Sequence, residues 1–219
     1  MNADAVLSRV LTNGSLLAAW GLLVAGSLAV LGWRLRHREA AIAPLMKFVW
    51  ILTVLYSGPL GLAVFWYAGR TDIRRDSLWR RAFRSVAHCY SGCGAGEVIG
   101  VTVAAGLLSL GQIGVAAVTF FCAYLAGFSL TVGPLVQEGV AASEAIRDAL
   151  LSETPSITVM EVAAIGTDLW LAGDAHIGDV LFWSALVFSL TVGLFVAYPV
   201  NVFLVHRGVK SGMQDPRAA

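Results

Sequence analysis

Charge is scarce in this chain. Asp, Glu, Lys and Arg make up 13% of its 219 residues, against about a quarter in a typical soluble domain, while apolar residues reach 58%. A water-soluble globule is excluded on that balance. A charge excess of either sign is also missing, since 15 Lys and Arg oppose 14 Asp and Glu, which removes the basic face that nucleic-acid binding requires. No nucleotide-binding motif is present, so any solute movement must run down a gradient or with a coupled ion. Internal repeats, low-complexity stretches and a soluble second domain are likewise missing, and residues 1–219 read as a single integral membrane domain.

What the chain does have is long apolar runs. A helix needs about 20 mostly apolar residues to cross a hydrocarbon core of about 30 Å. Six candidates appear: Ser15 to Leu35, Leu45 to Ala68, Ala82 to Leu110, Gln112 to Gly133, Ile157 to Gly173 and Val180 to Val205. Lipid cannot hydrogen-bond a bare backbone, and the runs are too long for barrel strands. The expected fold is therefore all-α, a polytopic helical bundle with six spans. The first run has no small-residue cleavage pattern and reads as a retained span.

Cytoplasmic loops retain Lys and Arg. With six spans and both termini inside, eleven of the 15 basic residues face the cytoplasm. The second run carries Ser57-Gly58-Pro59-Leu60-Gly61 at its centre, which either kinks a span or turns it back as a re-entrant hairpin. The kinked span is the preferred reading. The hairpin alternative leaves five spans, moves the N-terminus outside and puts 14 of the 15 basic residues inside. Both place the C-terminus in the cytoplasm, and the expected location is the inner membrane. Between the fourth and fifth runs, Val136 to Leu151 can form a short cytoplasmic helix with Val136, Val140, Ile146 and Leu150 on one face and Glu138, Glu144 and Asp148 elsewhere.

The segment from Arg84 to Gly100 is unusual. At about 100° per residue, Cys89, Cys93, Gly96 and Gly100 share one stripe, flanked by Gly92 and Glu97. Gly92, Gly96 and Gly100 let a neighbouring backbone approach closely, within the chain or from a second copy in a homo-oligomer. Cysteines four apart on a helix project from adjacent turns and can reach one metal ion, with His88 or Glu97 as a further donor; soft thiolates select copper or zinc. The same cysteines can also serve as small hydrophobes. Counting about 1.5 Å per residue from Arg84, Cys89 lies about 8 Å deep, Cys93 about 14 Å and Glu97 about 20 Å. Glu161 and Asp168, seven apart on one helix face, reach about 6 Å and 17 Å. Acids at such depth mark ion or substrate paths, so Glu97, Glu161 and Asp168 are candidates for charge compensation or proton relay. Asn201, just after Pro199, can bond across helices and order the site.

The run His88-Cys89-x-x-Gly92-Cys93-x-x-Gly96-Glu97, with Tyr198-Pro199-x-Asn201, Arg207-Gly208-x-Lys210 and Gly212-Met213, resembles a family of small multi-spanning bacterial membrane proteins, domain of unknown function 4396. The resemblance covers roughly Leu45 to Met213. Some members carry names suggesting copper, which implies a metal. Glu97 stands where the family usually has an acid, whereas Val202-Phe203 replaces a more aromatic pair after Asn201. The first expectation is binding or transport of a soft transition metal or thiol-reactive solute, with Cys89 and Cys93 as primary ligands and His88 in support. The others are a membrane metallo-oxidoreductase and a structural subunit whose glycine face packs and binds nothing.

Overall fold

The computed structural model describes residues 3–137, 139–213 and 215–218, and every element among them is helical. In chain order these are α1 (Ala3–Leu11), α2 (Gly14–His37), α3 (Pro44–Ser57), α4 (Pro59–Ala68) and α5 (Leu78–Val101). A π-helical segment (Thr102–Leu107), α6 (Gln112–Gln137), α7 (Ala142–Ala172), α8 (Val180–His206) and a short 3-10 turn (Pro216–Ala218) complete the order. Among the described residues three helices, α2, α6 and α8, are long and apolar enough to cross a membrane. Asn13 opens α2 by accepting from the backbone N–H groups of Ser15 and Leu16, both at 3.1 Å, which satisfies two donors a helix start leaves free.

The second apolar run is a helical hairpin, which corrects the preferred kinked span. Trp50 in α3 and Phe65 in α4 meet edge to face at 5.4 Å, whereas 15 residues of straight helix would separate them by about 22 Å. The entry and exit also meet: the Glu39 carboxylate accepts from Thr71 N at 2.8 Å and Thr71 Oγ1 at 2.6 Å. The reversal has a local cause. Pro59 pushes the preceding residue out of helical geometry, and Gly58 takes φ +54°, a conformation open to glycine. Gly61 completes the return, because a Cβ there would lie 2.6 Å from the Thr53 carbonyl oxygen.

The hairpin brings both basic segments to one end of the bundle. Arg34 pairs with Glu39 at 3.0 Å and Asp72 at 3.2 Å, and Arg84 joins Asp76 to the C-terminal segment through Gly212 O. At the opposite end Gln112 Nε2 donates to Gly173 O and Asp174 Oδ1, each at 2.9 Å, and Leu7 and Leu11 of α1 pack near Leu171, Ala172 and Ala185.

Two further boundaries differ from expectation. The third run stops being α-helical at Val101 and continues as the π-segment to Leu107. The short helix expected over Val136 to Leu151 is not separate: α6 runs to Gln137, and α7 passes unbroken from Ala142 through Pro155 to Ala172. Pro155 removes one backbone donor, while Ser152, Glu153, Ser156 and Ile157 are buried around it and tertiary packing carries the helix through. Ile146 and Leu150 face outward, and Ala145 and Ala149 face the bundle. Glu138 lies outside the described residues.

Helix α5 is the axis of the molecule, with 16 of its 24 residues buried. One face receives the hairpin: Ser91 Oγ donates to Val49 O at 2.8 Å, and a Cβ on Gly94 would press into the Tyr56 ring at 2.5 Å. The opposite face meets α6. A Cβ on Gly92 would lie 2.6 Å from Gly127 Cα and one on Gly100 2.6 Å from Thr119 Cα, while one on Gly96 would run into the backbone of Ala123. The glycine stripe is thus occupied by α6 of the same chain.

Candidate functional site

The cysteines and acids of α5 line a polar track through the otherwise apolar interior. Cys89 and Cys93 are fully buried, their sulfurs 3.9 Å apart. Gly127 on α6 leaves room for the second thiol, since a Cβ there would lie 3.3 Å from Cys93 Sγ. Glu161, on α7, lies against the Cys93 thiol and the Glu97 carboxyl, yet among the described residues no well-aligned donor reaches either Glu161 oxygen or Glu97 Oε1.

Toward the basic end, the track continues as a hydrogen-bonded chain. Ser156 Oγ donates to Cys89 Sγ at 3.6 Å and accepts from Asn201 Nδ2 at 2.6 Å. Asn201 also donates to Ala197 O at 3.0 Å, and its Oδ1 accepts from Ser85 Oγ and Lys210 Nζ, both at 3.0 Å. All four hydrogen-bonding positions of the amide are used, which fixes its orientation. Lys210 completes the chain with a 2.8 Å ion pair to Glu153, and both side chains are almost entirely shielded from solvent.

In the other direction the track meets a cavity of about 530 Å³ at the end opposite the basic segments, with Glu97 and Asp168 in its wall. The π-segment helps shape it, as its Ala105 lines the same wall beside Val101, the last residue of α5. A π-turn widens the helix and shifts the register of following residues, and here it follows Glu97 by one turn.

His88 is buried on α5. One residue from Cys89 is a rotation of about 100°; its charged neighbours are Glu153 and Lys210, and its Nδ1 has no partner among the described residues. Cys122 sits beside Gly100, partly exposed. His176 stands at the cavity rim, with its backbone N–H donating to Asp179 Oδ2 at 2.7 Å.

The donor set suits a soft metal in one respect. Two sulfurs at 2.3 Å from a tetrahedral ion stand about 3.8 Å apart, close to the 3.9 Å between Cys89 and Cys93. Among the described residues, no group of three or more His, Cys, Asp or Glu side chains is arranged to hold a metal ion.

Sequence reasoning missed Ser85, Glu153, Ser156 and Lys210. Ser156 stands five residues before Glu161, and Lys210 belongs to the C-terminal motif, yet a lysine in a basic tail and a glutamate in a polar stretch both read as solvated. No curated protein and no solved structure matches the chain. Residues 78–210, from the start of α5 to the lysine that closes the track, match the family model described as Domain of unknown function (DUF4396), and the chain belongs to that family.

Proposed function

We propose that the protein is a multi-pass protein of the bacterial inner membrane that takes up a soft cation, copper(I) or zinc(II), as cargo at Cys89 and Cys93. The reading is carried by the two buried sulfurs, set at chelating distance beside the Glu161 carboxyl. The thiolates are the soft ligands, Glu161 balances charge, and Asn201 and Ser156 hold Cys89 in place. Glu97 and Asp168 extend the path toward the cavity. His88 stays outside the donor set and neighbours the Lys210–Glu153 pair instead.

In the proposed topology α2, α5, α6, α7 and α8 cross the bilayer and the α3–α4 hairpin re-enters from the cytoplasm. The N-terminus is then outside and the C-terminus cytoplasmic, with 14 of the 15 basic residues on the inner side. Helices α5 and α7 cross despite their charges because Arg84, Glu97, Glu153 and Glu161 are buried in the protein rather than set against lipid.

The test is elemental analysis of detergent-purified protein prepared without chelator or affinity-tag metal, beside the Cys89→Ser/Cys93→Ser double variant. Near-stoichiometric metal in the wild type, lost in the variant, is the expected result. If neither sample holds metal after anaerobic loading with Cu(I) and Zn(II), the proposal fails.

A further inference from the structure

We propose that the cavity beside Glu97 and Asp168 is a binding site for an organic ammonium ion, a protonated amine with a small apolar body. This goes beyond the dithiol reading and does not depend on it. The wall is acidic and short of donors. Glu97 is 1% exposed and Thr119 3%, both line the cavity, and Glu97 Oε1, Thr119 Oγ1 and Asp168 Oδ1 are buried without a hydrogen-bond partner among the described residues. Among the described residues no Lys or Arg lies in the wall. A buried acceptor without a donor costs about 1–3 kcal/mol, more when charged, so the matching ligand brings positive charge and N–H donors.

The remaining surface fixes the rest of that ligand. Val101, Phe182 and Leu186 face the same space, which an apolar body fills and a hydrated inorganic ion does not. The Phe182 ring also suits a cation. A hard divalent ion takes six or more oxygen ligands, and among the described residues the wall holds three buried side-chain oxygens without a partner. The volume of about 530 Å³ falls within the range of small-molecule sites, about 300–1,000 Å³. An ammonium head between Glu97, Asp168 and Thr119, with its hydrocarbon against Phe182, satisfies each of these features.

The experiment is calorimetric titration of the full chain in dodecyl maltoside with benzylammonium, benzyl alcohol, sodium and potassium. Benzylammonium is expected to bind, and benzyl alcohol, which keeps the ring but loses the charge, is not. Glu97→Gln and Asp168→Asn should each weaken benzylammonium about tenfold or more, while Gly166→Ala, outside the cavity wall and with open space around the added Cβ, leaves it unchanged. Independently of any variant, benzylammonium should protect Glu97 and Asp168 of the wild type from carbodiimide labelling, read by mass spectrometry. Equal binding of benzyl alcohol, binding of sodium or potassium in place of the amine, unaltered affinity in both carboxylate variants, or no protection overturns the proposal. Metal content decides the dithiol reading separately, so either can fail alone.

Discussion

Arg84 offers the most direct test of how the basic end is held together. Its guanidinium donates to Asp76 Oδ1 at 2.8 Å and Oδ2 at 2.7 Å, to Ala68 O at 3.1 Å and to Gly212 O at 3.3 Å. One side chain thus ties α5 to the end of the hairpin, the loop after it and the C-terminal segment. Arg84 is 1% exposed and its partner 8%, so solvent screens the pair weakly. Two unit charges 4 Å apart at an effective dielectric of 20 attract by about 4 kcal/mol, and removing one member of such a pair costs about 3–5 kcal/mol because the other charge is stranded. Arg84→Gln should therefore destabilise the protein by about that amount. In Arg84→Gln/Asp76→Asn the stranded charge is gone, and the double variant should recover about 2 kcal/mol relative to the sum of the singles. Equilibrium unfolding in dodecyl maltoside with increasing dodecyl sulfate, followed through the seven tryptophans, measures all three. Additive single costs, or a loss below about 1 kcal/mol for Arg84→Gln, would refute the reasoning.

Gly96→Ala sets a gain in helix propensity of about 1 kcal/mol against overpacking of about 1–3 kcal/mol. Because the new methyl meets the Ala123 backbone, the same unfolding assay should show a net loss, whereas Gly166→Ala, with nothing within 4 Å of the added Cβ, should be neutral or stabilising. Lys210→Met strands Glu153 and should cost about 3–5 kcal/mol, with much of it recovered in Lys210→Met/Glu153→Gln; no recovery would show that the ion pair is not the source. Single cysteines introduced at positions 40 and 72 of a background lacking the native cysteines should react with an impermeant maleimide from the same membrane face, opposite to one placed at the N-terminus. Labelling from opposite faces would restore a continuous second span.

Apolar runs and their charged borders made α2, α6 and α8 legible, because length and hydropathy are local properties. The hairpin was only half legible. Gly58 before Pro59 announces a break, but the same pair serves a kink and a reversal, and the decision rests on Trp50 against Phe65 and Glu39 against Thr71, contacts between distant positions. Helical spacing set Gly92, Gly96 and Gly100 on one face, the face that meets α6, since the 3.6-residue period needs no tertiary information. The partners of Asn201 were not legible: Ser85, Ser156 and Lys210 come from α5, α7 and the tail and meet only in the folded bundle. The stretch before the fifth run was not legible either: a separate helix ending at Leu151 was expected, whereas buried packing carries α7 unbroken through Pro155.

The enclosure of α5 also sets a timetable for making the protein. A helix that carries Arg84, His88 and Glu97 on buried faces is a poor passenger for lateral release into lipid, and it leaves the ribosome before α6, the segment that covers its glycines. The earlier hairpin can shelter only one side. In the proposed topology, nascent α5 therefore waits at the insertion machinery until α6 has followed it, and the two enter the bilayer as a unit. Widening the glycine seam would accordingly be felt first during synthesis, as stalled or misoriented chains, before any loss could be measured in the finished molecule.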